Sequence, residues 1–465
     1  MDEAAPDPDC PGCRALLKRV QRLEREIAEL KALLRRDSSN SNQPPSSDSP
    51  SQRAERPSRP PSGKKPGGQP GHQAYQRAFL PAEQVTRRVR RAPRRCRRCT
   101  ASLAHAEEIE PLRHQVIEIP RIVPDVTEYV LGRRRCANCE TLTTARLPIG
   151  TPRGMCGPRL MGLIALLTGA CHLSRRTAMI LLDDVLGVQL SLGTVSNVEG
   201  HVSNALAPAH AEALARVRQA KVKNLDATSW TQAGEPRSLW TFASRLVTVF
   251  VITLGATTDV VREIVGAVRG TLVTDRGSQF GFWAMDRRQV CWAHLIRKFV
   301  AFTESPRSEV RKLGEALLLL AQVHLACWYR VRDGTQTRQD LQALIIRLRP
   351  IFLGHLERGT RLRLRGVSGV CANLLAHEEA LFTYAFVAGV PTTNNHAERE
   401  LRSFVMWRKL TAGTRSERGD RYAERVMTVV HTLRKQGRNV LSYLELACAN
   451  SLRGDAIPAL TRSGP

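Results

Sequence analysis

The chain has 465 residues, 42% of them hydrophobic, enough for several domains with their own cores, which excludes a disordered protein. Lysine and arginine number 70 against 43 aspartate and glutamate, giving a net charge of +27, and such an excess attracts polyanions through phosphate contact and counterion release. The acidic start, Met1-Asp2-Glu3, lacks the order of a secretory signal, and the charge-free apolar stretch Leu160 to Ser174 is too short for a bilayer. A soluble, intracellular protein is therefore expected, in a reducing compartment where paired cysteines favour metal over disulfides.

Leu16, Val20, Leu23, Ile27, Leu30 and Leu34 are spaced alternately four and three apart, a heptad seam. β-Branched residues at a and leucine at d predict a parallel two-stranded coil over 1–36, and hence a homodimer or higher oligomer. An amphipathic helix packing on its own domain fits the same pattern. Cys10-x2-Cys13 stands just before it, either as half of a shared four-thiolate site or as two spare thiols. Residues 37–80 are rich in Ser, Asn, Pro and Gly, with scattered basic residues, and predict a flexible tether ending in Gly67-Gly68-Gln69-Pro70-Gly71-His72.

The strongest metal signal lies in 81–150, where Cys96-x2-Cys99 and Cys136-x2-Cys139 supply four thiolates for one tetrahedral zinc. Short strands at Gln115 to Ile119 and Val126 to Leu131 would make the module ribbon-like. Arg94, Arg95, Arg97 and Arg98 surround the first pair, which predicts contact with a DNA backbone. Residues 151–215 read as helices. A helix at Ser174 to Val185, a corner at Leu186-Gly187 and a Ser191-capped helix resemble a helix-turn-helix, with Thr194, Ser196 and Asn197 towards the major groove. A helical connector with no DNA contact fits equally.

From Lys221 the periodicity changes to strands: Val222 to Asp226, Leu239 to Ser244 and Thr248 to Leu254. A helix at Thr258 to Val268, a strand at Thr271 to Asp275 and another at Gln289 to Trp292 follow. Three strands followed by alternating helix and strand match an RNase H-like sheet, placed at 216–410 with a helical insertion at about 293–387. Residues 411–465 read as a basic helical region. The fold class is therefore multidomain α/β: an RNase H-like core with a large helical insertion, plus coiled coil, zinc ribbon-like module and helix-turn-helix-like region.

Asp226 and Asp275 close strand-like runs, and Glu398 sits in the first turn of a helix opening at Asn394-Asn395. Two strand-end aspartates and a helical glutamate can converge on two divalent cations for in-line attack on a phosphodiester. Taken singly, each acid also reads as a turn residue or a helix-dipole partner. Arg399 and Arg402 share a helix face suited to phosphates or simply to solvent. Cys291-x2-His294 follows the second aspartate, with His377, His396 and Cys371 as loose partners for a second metal, although packing or DNA contact reads better. Trp230, Trp292 and Trp407 could stack a flipped base or fill the core.

These residues in this order resemble the DDE transposases of insertion-sequence family 66. The resemblance runs almost end to end: the coil, the Ser/Asn/Pro linker, Gly67 to His72 and the four cysteines. It continues through Asp226-Ala227-Thr228-Ser229-Trp230, Cys291-Trp292-Ala293-His294, Arg297-Lys298-Phe299, Asn394-Asn395, Ala397-Glu398-Arg399 and Leu401-Arg402. It departs at Ala227, where the family usually carries glutamate, and at Arg276-Gly277.

The resemblance implies two Mg²⁺ (or Mn²⁺) on Asp226, Asp275 and Glu398, nicking of the element's ends and attack of the freed 3′-hydroxyl on target DNA. It also implies binding of terminal inverted repeats as double-stranded DNA, accessory proteins from the same element, and a bacterial, nucleoid-associated setting. Two alternatives remain: a DNA-binding regulator that has lost cleavage, and a structure-selective nuclease.

Overall fold

The computed structural model describes residues 78–461 and, further N-terminal, positions 14, 15, 18–24, 27 and 31, all of them helical. Cys10, Cys13, most of the linker and the coil positions Leu16, Leu30 and Leu34 lie outside the described residues. Val20, Leu23 and Ile27 of the heptad seam are exposed. The chain divides into two compact units, residues 53–124 and the remainder. No helix among the described residues is long and apolar enough to cross a membrane.

In the smaller unit the backbone turns at Cys96 to Cys99, where Arg95 and Ser102 form an isolated antiparallel bridge. Gln115 does not join a strand; its side chain exchanges hydrogen bonds with the backbone of Leu80. In the larger unit, β1 (Arg133–Arg135) and β2 (Leu142–Thr144) pair antiparallel and enclose Cys136 to Cys139. The strands expected at Gln115 to Ile119 and Val126 to Leu131 do not form. Val116 and Val126 stay exposed with no partner strand among the described residues, so alternation there meets no core to reward it.

The central sheet comprises β3 (Val222–Gln232), β4 (Glu235–Ala243), β5 (Thr248–Thr253), β6 (Thr271–Thr274) and β7 (Arg288–Val290). Its order is β5-β4-β3-β6-β7; the first three strands form an antiparallel meander, and β6 and β7 run parallel to β3. That is a mixed sheet consistent with an RNase H-like transposase core. β3 runs well past Asp226 because its second half makes a long hairpin with β4, so Asp226 lies within the strand and not at its end. At the far tip of β3 the segment Gly413-Thr414 joins the strand, with Thr414 N–H donating to Thr231 O at 3.0 Å. Gly413 has φ +92°, and a Cβ there would collide with the Thr231 carbonyl.

Before the sheet come α1 (Pro158–Ala165), α2 (Arg175–Leu186), α3 (Leu192–Ala205) and α4 (Ala207–Gln219). Gly187 ends α2 in the left-handed region; Ser191 caps α3 through its side chain, as the sequence suggests, and Ser174 caps α2 in the same way. α5 (Thr258–Val265) connects β5 to β6. The insertion runs through α6 (Trp292–Thr303), α7 (Ser308–Arg332), α8 (Arg338–Arg361), α9 (Ser368–Ala376), α10 (Glu378–Leu381) and α11 (Thr383–Phe386). It returns to α12 (Asn395–Thr411), followed by α13 (Glu417–Lys435) and α14 (Val440–Arg453).

Two hydrophobic cores result. One joins α1–α4, most of the sheet and α12–α14, from Cys156 to Leu460; the other packs the insertion against the β6–β7 edge. Neighbouring residues of β6 separate between them, Leu272 to the first and Val273 to the second, as strand alternation requires. The first core runs straight across residues 215 and 410, so the helices on either side of the sheet share its interior.

Both sheet edges are covered. Beside β7, Gln289 Nε2 and, from the start of α6, Trp292 Nε1 donate to Leu381 O, and Thr383 Oγ1 donates to Arg288 O. On β5, the N–H groups of Thr248, Phe250 and Ile252 donate to Thr432 Oγ1, Thr428 Oγ1 and Glu424 Oε1 of α13. Four helical residues rise about 6 Å and two strand residues about 6.6 Å, so side chains four apart on a helix can serve every second N–H of a strand. The edge is thereby closed to further pairing.

Candidate active site

Register brings the two aspartates level. Asn224 on β3 lies opposite Val273 on the parallel β6, so two positions further on stand Asp226, within β3, and Asp275, just past the end of β6. Each carboxylate is oriented by its own loop: Asp226 Oδ1 accepts from Ala227 N–H at 3.0 Å, and Asp275 Oδ1 from Gly277 N–H at 2.9 Å. Behind Asp275, the fully buried Arg288 donates to Thr274 Oγ1 and to the Asp275 carbonyl. Nothing in the local sequence marks Arg288, which reads as an ordinary charge before a strand.

Glu398 arrives on the first turn of α12. Asn394, at the N-cap position, does not cap the helix with its side chain. Instead Asn394 Oδ1 accepts from Asn224 Nδ2 at 2.9 Å, and Asn394 Nδ2 donates to Leu225 O at 2.9 Å, on the two residues preceding Asp226. Its N–H donates to Cys291 Sγ at 3.2 Å, and Trp292 N–H donates to Thr392 O. The start of α12 is thus fastened to β3 and to the start of α6.

Electrostatics record the convergence. Burial, then the charges of Glu398 and Asp275, push the Asp226 carboxyl up to about 8, against smaller opposing effects from the Ala227 N–H and Arg297. Three acids from β3, β6 and α12 therefore act on one another across the same recess. Such crowding is what a divalent cation relieves, and carboxylate oxygens suit a hard ion. Burial and Arg297 lower the His294 pKa, opposed by Glu398 and Asp275, so the imidazole also belongs to this recess. Arg276 reaches out of the site to Asn373 of α9, tying it to the insertion.

A scan against protein-family models matches residues 153–422 to the model described as "Transposase IS66 family". The chain belongs to the IS66 transposase family. Residues 12–78 match a separate family of unknown function. The uncharacterized protein y4hP of Sinorhizobium fredii is 24% identical over 362 residues, covering 70% of this chain; the chain spans 65% of that relative's length. The IS66 match includes Asp226, Asp275 and Glu398 together with the whole insertion.

Other residues singled out in the sequence of this IS66 family member fall elsewhere. Trp230, Trp292 and Trp407 are buried, with Trp230 and Trp407 packed around Phe404, so stacking on a flipped base gives way to core packing. On α3, Thr194 Oγ1 is within 2.9 Å of the capping Ser191, and Ser196 accepts through its carbonyl and its hydroxyl from Arg418 of α13; Asn197 is exposed. Arg399 and Arg402 are exposed on α12. His377 and Cys371 sit within the insertion, and His396 accepts from Lys435, so none of the three joins Cys291 and His294.

The two cysteine pairs fall in different units and share one local geometry. Cys96 N–H donates to Ala101 O and Thr100 N–H to Cys96 O; Cys136 N–H donates to Thr141 O and Glu140 N–H to Cys136 O. Thr100 and Glu140, each directly after the second cysteine, adopt left-handed φ of 58° and 56°. Arg94, Arg95, Arg97 and Arg98 are exposed around the first turn.

Proposed function

We propose that this IS66 family member binds the terminal inverted repeats of a mobile element and catalyses metal-dependent DNA cleavage and strand transfer. What carries the reading is the mutual electrostatics of Asp226, Asp275 and Glu398, acids from three separate elements: burial first, then the other two charges, raise the Asp226 carboxyl to about 8. Asp226, Asp275 and Glu398 would hold two Mg²⁺ or Mn²⁺ ions, which supply nucleophile activation and leaving-group stabilisation when bound. Ala227 and Gly277 N–H groups orient the two aspartates, Arg288 fixes the loop carrying the second, and Asn394 sets Glu398 against β3.

Cys96 with Cys99, and Cys136 with Cys139, suit structural zinc binding, because each turn presents the paired hydrogen bonds and left-handed exit of a thiolate knuckle. Arg94, Arg95, Arg97, Arg98, Arg399 and Arg402 supply exposed cations for phosphates, and Thr194 and Asn197 of α3 would read a groove. Because Ser196 is engaged by Arg418, it serves such a helix by fixing it and not by touching bases. The seam at Val20, Leu23 and Ile27 suits a parallel dimer.

The test is strand transfer with purified full-length protein, Mg²⁺ and a plasmid carrying the element's own ends. Joined products with wild type and none with Asp226→Asn support the reading. Binding without any cleavage would identify a regulator, and cutting without joining a nuclease; either outcome overturns it.

A further inference from the structure

We propose that Cys291, His294 and Glu398 form a second metal site, for a thiophilic divalent ion such as Zn²⁺, beside the hard-ion site and sharing Glu398 with it. Among the described residues they are the one group of three Cys, His, Asp or Glu residues whose ligand atoms all lie within 4.8 Å of one another. The sulfur and imidazole come from the junction of β7 and α6, the carboxylate from the first turn of α12.

Two further observations point to a missing occupant. His294 Nδ1 and Glu398 Oε1 are both buried, and neither has a hydrogen-bond partner among the described residues. They stand 3.9 Å apart, too far to bond each other. Two ligands of one tetrahedral zinc, at roughly 2.0–2.3 Å from the metal, stand about 3.3–3.8 Å apart, so a shift of about an ångström closes the set. The Asn394 N–H on Cys291 Sγ supplies the outer support that holds a sulfur ligand in place.

Ligand chemistry separates the two sites. Mg²⁺ selects carboxylates and water, whereas sulfur with imidazole selects zinc and its neighbours. On binding, the Cys291 S–H bond breaks, its proton passes to solvent and the thiolate bonds the metal. Three protein ligands leave a fourth position for water. Because Glu398 serves both sites, zinc here draws that carboxylate toward α6, and added zinc depresses Mg²⁺-dependent activity.

The site does not depend on the chain being an active transposase, and the primary measurement is metal content. Full-length wild type, Cys291→Ser and His294→Asn are loaded with zinc, desalted and assayed for metal, leaving the four cysteines of the two knuckles unchanged in all three. Each variant is expected to hold about one zinc fewer per chain than wild type. After replacement with Co²⁺, the near-ultraviolet thiolate charge-transfer band should weaken in Cys291→Ser. If Cys291→Ser does not fold, His294→Asn, at a partly exposed position, carries the metal count alone. Equal zinc content in wild type and a folded variant overturns the proposal, whatever the strand-transfer assay gives.

Discussion

Asn394 and Asn224 are hydrogen-bonded side chain to side chain at 2.9 Å across 170 residues of sequence. Asn224 lies on the strand that carries Asp226, and Asn394 opens the helix that carries Glu398. A single buried amide pair therefore closes the active site around the entire helical insertion. The same Asn394 reaches Leu225 O and Cys291 Sγ, so it meets both β3 and the start of α6.

Truncating this amide tests the clamp directly. Asn394→Ala leaves Asn224 and the Leu225 carbonyl without buried partners, at a cost of about 2–4 kcal/mol in urea unfolding. Glu398 loses its fixed approach, and Mg²⁺-dependent nicking should fall about a hundredfold for a displacement near 1 Å. Unchanged activity together with unchanged stability would show that α12 is held by other contacts.

Asp226→Asn should separate stability from function. At neutral pH the recessed Asp226 carboxyl must take up a proton on folding, since its folded value is about 8, and a neutral amide of the same shape is spared that step. Metal-free protein should therefore gain on the order of 2 kcal/mol at neutral pH while nicking is abolished. Thermal melts in chelator, wild type against variant, check the sign; a lower melting temperature for the variant would refute it.

Proton linkage follows from the same carboxyl. Its folded value, about 8, lies above the ordinary 3.8, so the folded chain keeps a proton that the unfolded chain releases. Metal-free stability contributed by this group is thus greatest at acid pH and declines between about 4 and 8. Divalent metal must displace that proton, so Mg²⁺ affinity should rise with pH up to about 8. Calorimetric titration in buffers of different ionisation enthalpy should detect proton release near pH 7; none would count against it.

The covering of β5 yields a test away from the active site. Thr428→Val preserves shape but leaves the Phe250 N–H without its acceptor. A loss of about 1–3 kcal/mol is expected, because a buried donor is stranded. Thr428→Ser, which keeps the hydroxyl, should recover most of it. Equal destabilisation by both would assign the effect to packing.

Much of this arrangement could be read from local pattern. The meander, the β6 and β7 strands, the capped helices α2 and α3, and the position of the insertion all follow from periodicity and turn chemistry within short windows. The two acids on strands and the one on a helix first turn were also visible, since motif and element type coincide. Less visible were the limits of β3, which its hairpin partner extends beyond Asp226, and the segment from Gln115 to Leu131, where alternation occurs without a partner strand. Local sequence leaves Arg288 unmarked, and marks Asn394 only as part of a motif, for one reason: their roles are hydrogen bonds to other elements of the fold.

Sequence alone determined the charge, the strand and helix order of the central sheet from Lys221 to Trp292, the three acids and the two cysteine pairs, because each depends on residue type and local spacing. Tertiary structure decided what meets what. Parallel register made Asp226 and Asp275 level, and an amide clamp brought Glu398 to them. The return of α12 also set that glutamate against Cys291 and His294, a grouping no spacing rule contains. Contacts of that kind depend on how two cores pack on one sheet, and packing is a property of the whole chain.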